Sequence, residues 1–328
     1  MKKPTALIYG YDGFDSDVAI NLVDFYSDLG FKVFLSRKLI ESDLICAMRP
    51  PNTQIFDTKF KKIHIFDYAC KLKSDFVQEA AKRENVTIFL PSNKALRDKL
   101  PDNSGYRDNV KIMLPPVSVK RWLKKIELKK WSLVHIGNFK ANYVDELDTE
   151  GCSFLEFILK NNVEVWGEGW SRYLPSQLVH GRVALLRSSQ IYCKAAVSVG
   201  NMYPYQRGKT ISGRFWQSPL ANCPILTERE LDEMKIPGVF KVDFKTLDLS
   251  IIEKTYSELD SVSQLSEEFW IDHYQKCLES VRELTLPIFR DFSSHRTRSN
   301  LVSRAKIDTW NVFRNIKYRL RLDGKYQL

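Results

Sequence analysis

Three cationic side chains lie close together in residues 207–228, RGKTISGRFWQSPLANCPILTE. Arg207 and Lys209 belong to a small-residue loop, and Arg214 opens a predicted short helix that a proline-initiated apolar strand follows. Free backbone N–H groups and the positive end of the helix dipole favour an anion at such a helix start. The segment therefore predicts a phosphate-binding site.

Carboxylates follow two apolar runs in the first part of the chain. Asp67 ends the run KKIHIFD, and Asp12 lies in the loop YDGFDSD after TALIYG, together with Asp15 and Asp17. A carboxylate at the carboxyl end of a strand can accept a proton from a hydroxyl substrate, although aspartate is also a common helix cap. Asp67 is the first candidate for a general base, and Asp12 is the second.

Several other chemistries lack their sequence signatures. The loop after the first strand has Gly10 and Gly13 but no G-x-G-x-x-G, which disfavours a dinucleotide site and places an oxidoreductase or epimerase third among the function classes. The chain contains no P-loop, nucleophile elbow or H-E-x-x-H motif. No metal-binding Asp-x-Asp accompanies the cationic loop, and the six cysteines lack zinc-ligand spacing. We therefore predict no metal site.

Short apolar runs alternate with amphipathic segments in both halves of the 328-residue chain. TALIYG, a helix and FKVFLSR form a β-α-β unit, and the alternation begins again at WSLVHIGNF. Parallel sheets covered by helices produce this pattern. The predicted fold is α/β, with two Rossmann-like domains.

The boundary between these domains is predicted near the basic segment 120–130, because prolines and a charged run are typical of linkers. We assign residues 1–122 to an N-terminal domain and residues 131–290 to a C-terminal domain. Residues 291–328 form a basic helical tail in this assignment. The C-terminal helices are expected to cross back to the N-terminal domain.

Most of the chain between residues 60 and 290 resembles the GT-B glycosyltransferases, in which two Rossmann-like domains face each other across a cleft. LVHIGNFK resembles the first donor-domain strand and loop, VEVWGEGW resembles a strand that ends in a Gly-Trp segment, and GRFWQSPLANCPIL resembles the donor signature. VTIFLPSNKAL with VKIMLPPVSVKRW resembles the end of the acceptor domain. The spore-maturation glycosyltransferase-like group and the phage DNA β-glucosyltransferases are the nearest branches.

The resemblance implies an N-terminal acceptor-binding domain and a C-terminal domain that binds a nucleotide sugar, with UDP as the expected nucleotide and no further cofactor. It assigns donor contacts to Gly137, Asn138, Trp170, Arg207, Lys209, Arg214, Gln217 and Ser218. Gln217 departs from the family pattern, in which a glutamate hydrogen-bonds the ribose hydroxyls. Because an amide oxygen accepts such a bond without charge assistance, the choice of nucleotide stays open.

The expected reaction is an inverting, metal-independent sugar transfer to a hydroxyl acceptor. A net charge of +10 favours an anionic partner, and we favour double-stranded DNA with hydroxymethylated bases. The alternative acceptor is a cell-surface glycan or lipid-linked molecule, because the basic tail can lie on an anionic membrane. A second alternative is a non-catalytic nucleic-acid- or membrane-binding protein. The sequence shows no transmembrane segment, and we expect a cytoplasmic location.

Overall fold

The computed structural model describes residues 3–10, 16–48, 53–57, 60–100, 107–122, 128–184, 187–228, 235–248 and 259–294. Their strands form two separate parallel sheets, one in each half of the chain. Helices and 3₁₀ turns alternate with the strands. The chain thus has the α/β two-domain fold that the sequence predicts.

The first sheet has the strand order β2-β1-β3-β4-β5-β6. Its strands are β1 (Thr5–Tyr9), β2 (Lys32–Ser36), β3 (Leu44–Ala47), β4 (Lys62–Phe66), β5 (Val86–Leu90) and β6 (Val110–Ile112). The helices of this half are α1 (Ser16–Asp28), α2 (Ser74–Ala81), α3 (Asn93–Lys99) and α4 (Val119–Trp122). Ser92 caps α3, since its Oγ accepts a hydrogen bond of 3.1 Å from the N–H of Ala95.

The second sheet has the strand order β11-β10-β9-β7-β8. Its strands are β7 (Trp131–Ile136), β8 (Glu164–Trp166), β9 (Ala195–Gly200), β10 (Ile225–Thr227) and β11 (Val239–Lys241). The helices are α5 (Thr149–Lys160), α6 (Ser188–Tyr192) and α7 (Arg214–Gln217). Every residue of β9 is buried, as parallel strands covered on both faces require.

Helix α7 is a single turn and gives way to a 3₁₀ turn at Pro219–Ala221. Pro219 cannot donate a backbone hydrogen bond, so the α-helical pattern does not continue through it. Asn222 then adopts a left-handed conformation with φ of 55° and directs the chain into β10. This brief helix fixes the position of Arg214 at the edge of the second sheet.

The last described helix, α8 (Leu259–Ser294), contacts both halves of the chain. Tyr274 Oη donates a hydrogen bond of 2.8 Å to Asp28 at the end of α1, and the ring of Trp270 lies 6.1 Å from that of Trp216. None of the described helices combines the length and apolarity needed to cross a membrane. Residues 123–127 of the predicted linker and residues 295–328 of the predicted tail lie outside the described residues.

Candidate functional site

The strand order of the second sheet places a topological switch point between β7 and β9. The chain leaves β7 toward β8 on one side and then returns to β9 on the other side. The register pairs Val134 with Ser198, so the two strands end at the same level, at Ile136 and Gly200. Ligands of open α/β sheets bind in the crevice at such a point, beyond the carboxyl ends of the strands.

The guanidinium group of Arg214 lies over this switch point. A Cβ atom built on Gly200 would be 2.5 Å from Arg214 Nη1, and one built on Gly137 would be 3.2 Å from Nη2. Arg214 Nε donates to Ser212 Oγ at 3.2 Å, whereas Nη1 is buried and has no hydrogen-bond partner in the described part of the chain. Among the described residues, no carboxylate forms an ion pair with Arg214. The group therefore has the capacity to bind an anion.

Lys140 adds a second cation at the same edge of the sheet. Its ammonium group is buried, donates a hydrogen bond of 2.5 Å to the carbonyl oxygen of Asn201, and lies 4.7 Å from the centre of the Tyr203 ring. Burial and then the nearby charges of Arg214 and Arg207 hold the pKa of Lys140 well below its usual range. An anion bound between Lys140 and Arg214 would reverse this repulsion and favour the charged amine.

A neutral histidine lies beneath the Gly137 loop. His135 is fully buried, and its Nδ1 lies 2.9 Å from the carbonyl oxygen of Val199, while Nε2 has no hydrogen-bond partner among the residues that the structure describes. Burial, followed by the charge of Arg214, holds the pKa of His135 well below its usual value. The imidazole is therefore neutral at physiological pH and adds no further positive charge.

Arg207 belongs to a buried ion pair. Its two terminal nitrogens each lie 2.9 Å from a carboxylate oxygen of Asp148, and Nη1 also lies 2.6 Å from Glu150. Burial alone would raise the pKa of Asp148, but hydrogen bonds from Arg207 and Asn142 outweigh it and leave that pKa lowered. Arg207 thus anchors the loop before Arg214 to the start of α5.

Gln217 joins the two halves of the chain. Its side chain is 2% exposed; Nε2 donates to Asp17 Oδ2 at 3.0 Å, and Oε1 accepts from Ser188 Oγ at 2.5 Å. The side chain predicted to contact a ribose is therefore buried and hydrogen-bonded within the protein. Ser218, the next residue, is fully buried and donates its hydroxyl to the carbonyl oxygen of Cys223.

The remaining predicted donor residues hold the loops around the switch point. Trp170 is fully buried and donates from Nε1 to the carbonyl oxygen of Gly137 at 2.7 Å. Asn138 Oδ1 accepts the N–H of Glu168 at 3.0 Å. Lys209 instead contacts the first half of the chain, where its ammonium group pairs with Asp98 of α3.

On the first sheet, Asp67 follows the carboxyl end of β4. It is 3% exposed, Oδ1 accepts the N–H of Lys71 at 2.8 Å, and Oδ2 accepts the N–H of Leu72 at 3.1 Å. These two bonds stabilise the loop after β4. Asp12, the other candidate base, lies outside the described residues. Within the described part of the chain, no group of three or more His, Cys, Asp or Glu side chains is arranged to hold a metal ion.

The sequence predictions missed two charged residues of this region, Lys140 and Glu228. Lys140 lies in GNFK, three residues after Gly137, in the loop that follows β7. Glu228 immediately follows the last residue of β10. The rule that selects Asp67, a polar residue directly after an apolar strand, would also have selected Glu228.

Two parallel Rossmann-like sheets, with a cationic switch point in the second, define a GT-B fold. T4 phage β-glucosyltransferase is similar in structure with a TM-score of 0.53 and 12% identity, over 87% of this chain and 98% of that chain. A structure of T4 phage BGT with UDP and Mn²⁺ gives a TM-score of 0.51 and 15% identity, over 85% and 99%.

HepE from Anabaena, solved in complex with UDP and glucose, has a TM-score of 0.53 and 9% identity over 88% of this chain and 100% of that chain. No protein-family model matches the sequence, and no curated protein matches it either. These comparisons concern the fold. They agree with the two-domain architecture predicted from the sequence motifs.

Proposed function

We propose that this protein is a glycosyltransferase that uses a nucleotide-sugar donor, with the donor diphosphate bound at the β7/β9 switch point. The observation that carries the proposal is the Arg214 guanidinium, which lies over two glycine backbones and has no carboxylate partner among the described residues. Lys140 supplies a buried amine from the loop after β7, and a bound anion would favour its charged form. UDP is the proposed nucleotide, because structures of the same fold bind UDP.

The proposed chemistry follows from the charge of the leaving group. When the glycosidic bond of the donor breaks, negative charge grows on the departing diphosphate. Arg214 can form two parallel hydrogen bonds to phosphate oxygens, and Lys140 adds a point charge. These cations support a metal-independent transfer. Full activity after treatment with EDTA is expected, whereas activity that only Mn²⁺ or Mg²⁺ restores would overturn this part of the proposal.

We further propose an inverting transfer in which Asp67 or Asp12 removes the proton of the acceptor hydroxyl. Asp67 stands at the carboxyl edge of the first sheet, and its bonds to Lys71 and Leu72 orient the carboxylate. Inversion is tested by determining the anomeric configuration of the product with a donor of known configuration.

The proposed acceptor is double-stranded DNA with a hydroxymethylated base. Lys71 and Lys73 follow β4, and Arg97 lies on α3 after β5, so the three cations border the carboxyl edge of the first sheet. All three are exposed, and within the described residues none has an ion-pair partner. Cations without partners suit contacts to a phosphate backbone.

A glycan or lipid-linked acceptor is the second candidate, favoured by the +10 net charge, which also attracts anionic membranes. Duplex binding that weakens steeply between 50 and 200 mM salt supports the DNA acceptor. Binding to anionic vesicles without binding to DNA would favour the second candidate. If the chain is instead a non-catalytic binding protein, we expect neither sugar transfer nor binding of nucleotide sugars.

The decisive experiment measures donor binding by Arg214 variants. We expect Arg214→Ala to lower the affinity for UDP and for inorganic pyrophosphate by about ten- to a hundredfold, because charge-assisted hydrogen bonds are lost. Arg214→Lys should lose less affinity, since lysine keeps the positive charge but lacks the planar guanidinium group with its paired N–H donors. Arg172→Ala, which removes an exposed cation of the same domain, is the control and should bind as the wild type. Equal UDP affinity in wild type and Arg214→Ala would refute the phosphate assignment.

A further inference from the structure

Gln217 is expected from the sequence to contact hydroxyls of the donor, but both ends of its amide are hydrogen-bonded to Asp17 and Ser188. Another residue is therefore needed for these contacts. A ribose or hexose needs hydrogen-bonding partners, since sites that recognise sugars pair with their hydroxyls. Those partners are best sought among polar groups at the same sheet edge that form no hydrogen bond within the described part of the chain.

Glu228 is such a group. It is 8% exposed, its Oε2 is enclosed without a hydrogen-bond partner, and within the described residues neither oxygen forms a hydrogen bond or an ion pair. Burial, and then the charge of Glu150, raise the pKa of Glu228 to about 8. A carboxyl group with this pKa carries a proton over much of the physiological range and can both donate to a hydroxyl and accept from one.

The strand register places Glu228 beside the proposed phosphate site. Thr227 pairs with Gly200, so Glu228 is the first residue beyond β10, at the level where Gly137 leaves β7. Neighbouring strands are about 4.8 Å apart, which puts Glu228 about 10 Å from Gly137 along the sheet edge. Phosphates bound over β7 and β9 would leave the sugar hydroxyls of a donor within reach of β10.

We propose that Glu228 binds a hydroxyl pair of the nucleotide-sugar donor and so takes the part that the family pattern gives to the residue at position 217. This inference rests on the proposed function. The hydroxyls belong either to the ribose or to the transferred sugar, and the two sources present the same chemistry to a carboxyl group. Glu228 acts in this proposal as a specificity-determining residue.

The test compares wild type with Glu228→Gln and Glu228→Ala by calorimetric titration of inorganic pyrophosphate, UDP and UDP-glucose. Glu156→Gln, on the exposed face of α5, is the matched control and should bind all three as the wild type does. If Glu228 contacts the ribose, Glu228→Ala should lose about ten- to a hundredfold in affinity for UDP and UDP-glucose while pyrophosphate is unchanged. Glu228→Gln should lose less, because its amide can still donate to a hydroxyl and accept from one. If it contacts the transferred sugar, only UDP-glucose should weaken.

Unchanged affinities of a folded Glu228→Ala variant for all three ligands would overturn the inference and leave the proposed function intact. Equal weakening of all three, pyrophosphate included, would also overturn it, because Glu228 would then shape the phosphate site rather than contact hydroxyls. Wild-type protein that binds none of the three ligands would refute both proposals. Circular dichroism and thermal melting establish that the variants are folded. Glu228→Met, which keeps the side-chain length without a hydrogen-bonding carboxyl group, replaces Glu228→Ala should that variant not fold.

Discussion

Replacing Gln217 with glutamate would restore the residue usual in GT-B glycosyltransferases, yet we expect it to destabilise this protein. The Nε2 atom of Gln217 donates to Asp17 Oδ2 across 3.0 Å in a buried setting. Glutamate would put an acceptor oxygen in place of this donor. Two carboxylates would then face each other between the two halves of the chain.

The magnitude follows from that separation. Two unit charges about 4 Å apart repel by about 4 kcal/mol at the effective dielectric constant of about 20 that describes such protein sites. Loss of the hydrogen bond adds about 1 kcal/mol. Protonation of one carboxyl relieves the repulsion, so the pair takes up a proton on folding. We therefore expect a loss of about 2–5 kcal/mol in unfolding free energy at pH 7.5 and a much smaller loss near pH 5.

Urea denaturation of wild type and Gln217→Glu at the two pH values measures this effect. The pKa shared by the buried pair is raised in the folded state, so its stability is retained at low pH and lost as the pH rises. The double variant Asp17→Asn with Gln217→Glu restores an amide-to-carboxylate bond with reversed polarity and should recover most of the loss. A Gln217→Glu variant that is as stable as the wild type at pH 7.5, and whose unfolding free energy does not differ between the two pH values, would refute the predicted repulsion.

Two further predictions concern single side chains of the site. Arg207→Ala leaves the Asp148 carboxylate buried without its bidentate partner, so the free energy of unfolding should fall by about 3–5 kcal/mol in chemical denaturation; a loss below 1 kcal/mol would show that the pair contributes little. Asp67→Asn removes the proposed base, so it should abolish sugar transfer. Because it keeps one acceptor oxygen for the loop after β4, the UDP-induced thermal shift should stay intact. Retained transfer would exclude Asp67 as the base, and loss of both signals would identify a structural role.

The fold was predictable because its elements are strongly patterned. Fully buried parallel strands such as β9 appear as short continuous apolar runs, and the helices between them keep apolar residues at helical spacing. The sequence also indicates Arg214, because a cation at a helix start after a small-residue loop has an evident chemical use. Whether Arg214 binds donor phosphate stays a prediction.

The partners of the polar side chains could not be predicted in the same way. Asp17 and Gln217 are 200 residues apart in the chain, and no local pattern indicates that they are hydrogen-bonded. Arg207 and Lys209 look alike in sequence, yet one is buried against Asp148 and the other pairs with Asp98. Such pairings depend on tertiary packing within and between the two halves of the chain, and that packing lies beyond the range of local spacing rules.

The contact between α8 and α1 has a consequence for how the protein is made. Phe31 packs against Phe289 and Asp28 accepts a hydrogen bond from Tyr274, so the start of the chain is completed by residues translated roughly 250 positions later. A nascent chain that lacks α8 would expose the apolar face of α1 on the ribosome. Chaperone binding to this face should persist until α8 emerges, and shortening the chain before Leu259 should yield an aggregating fragment rather than an independent first domain.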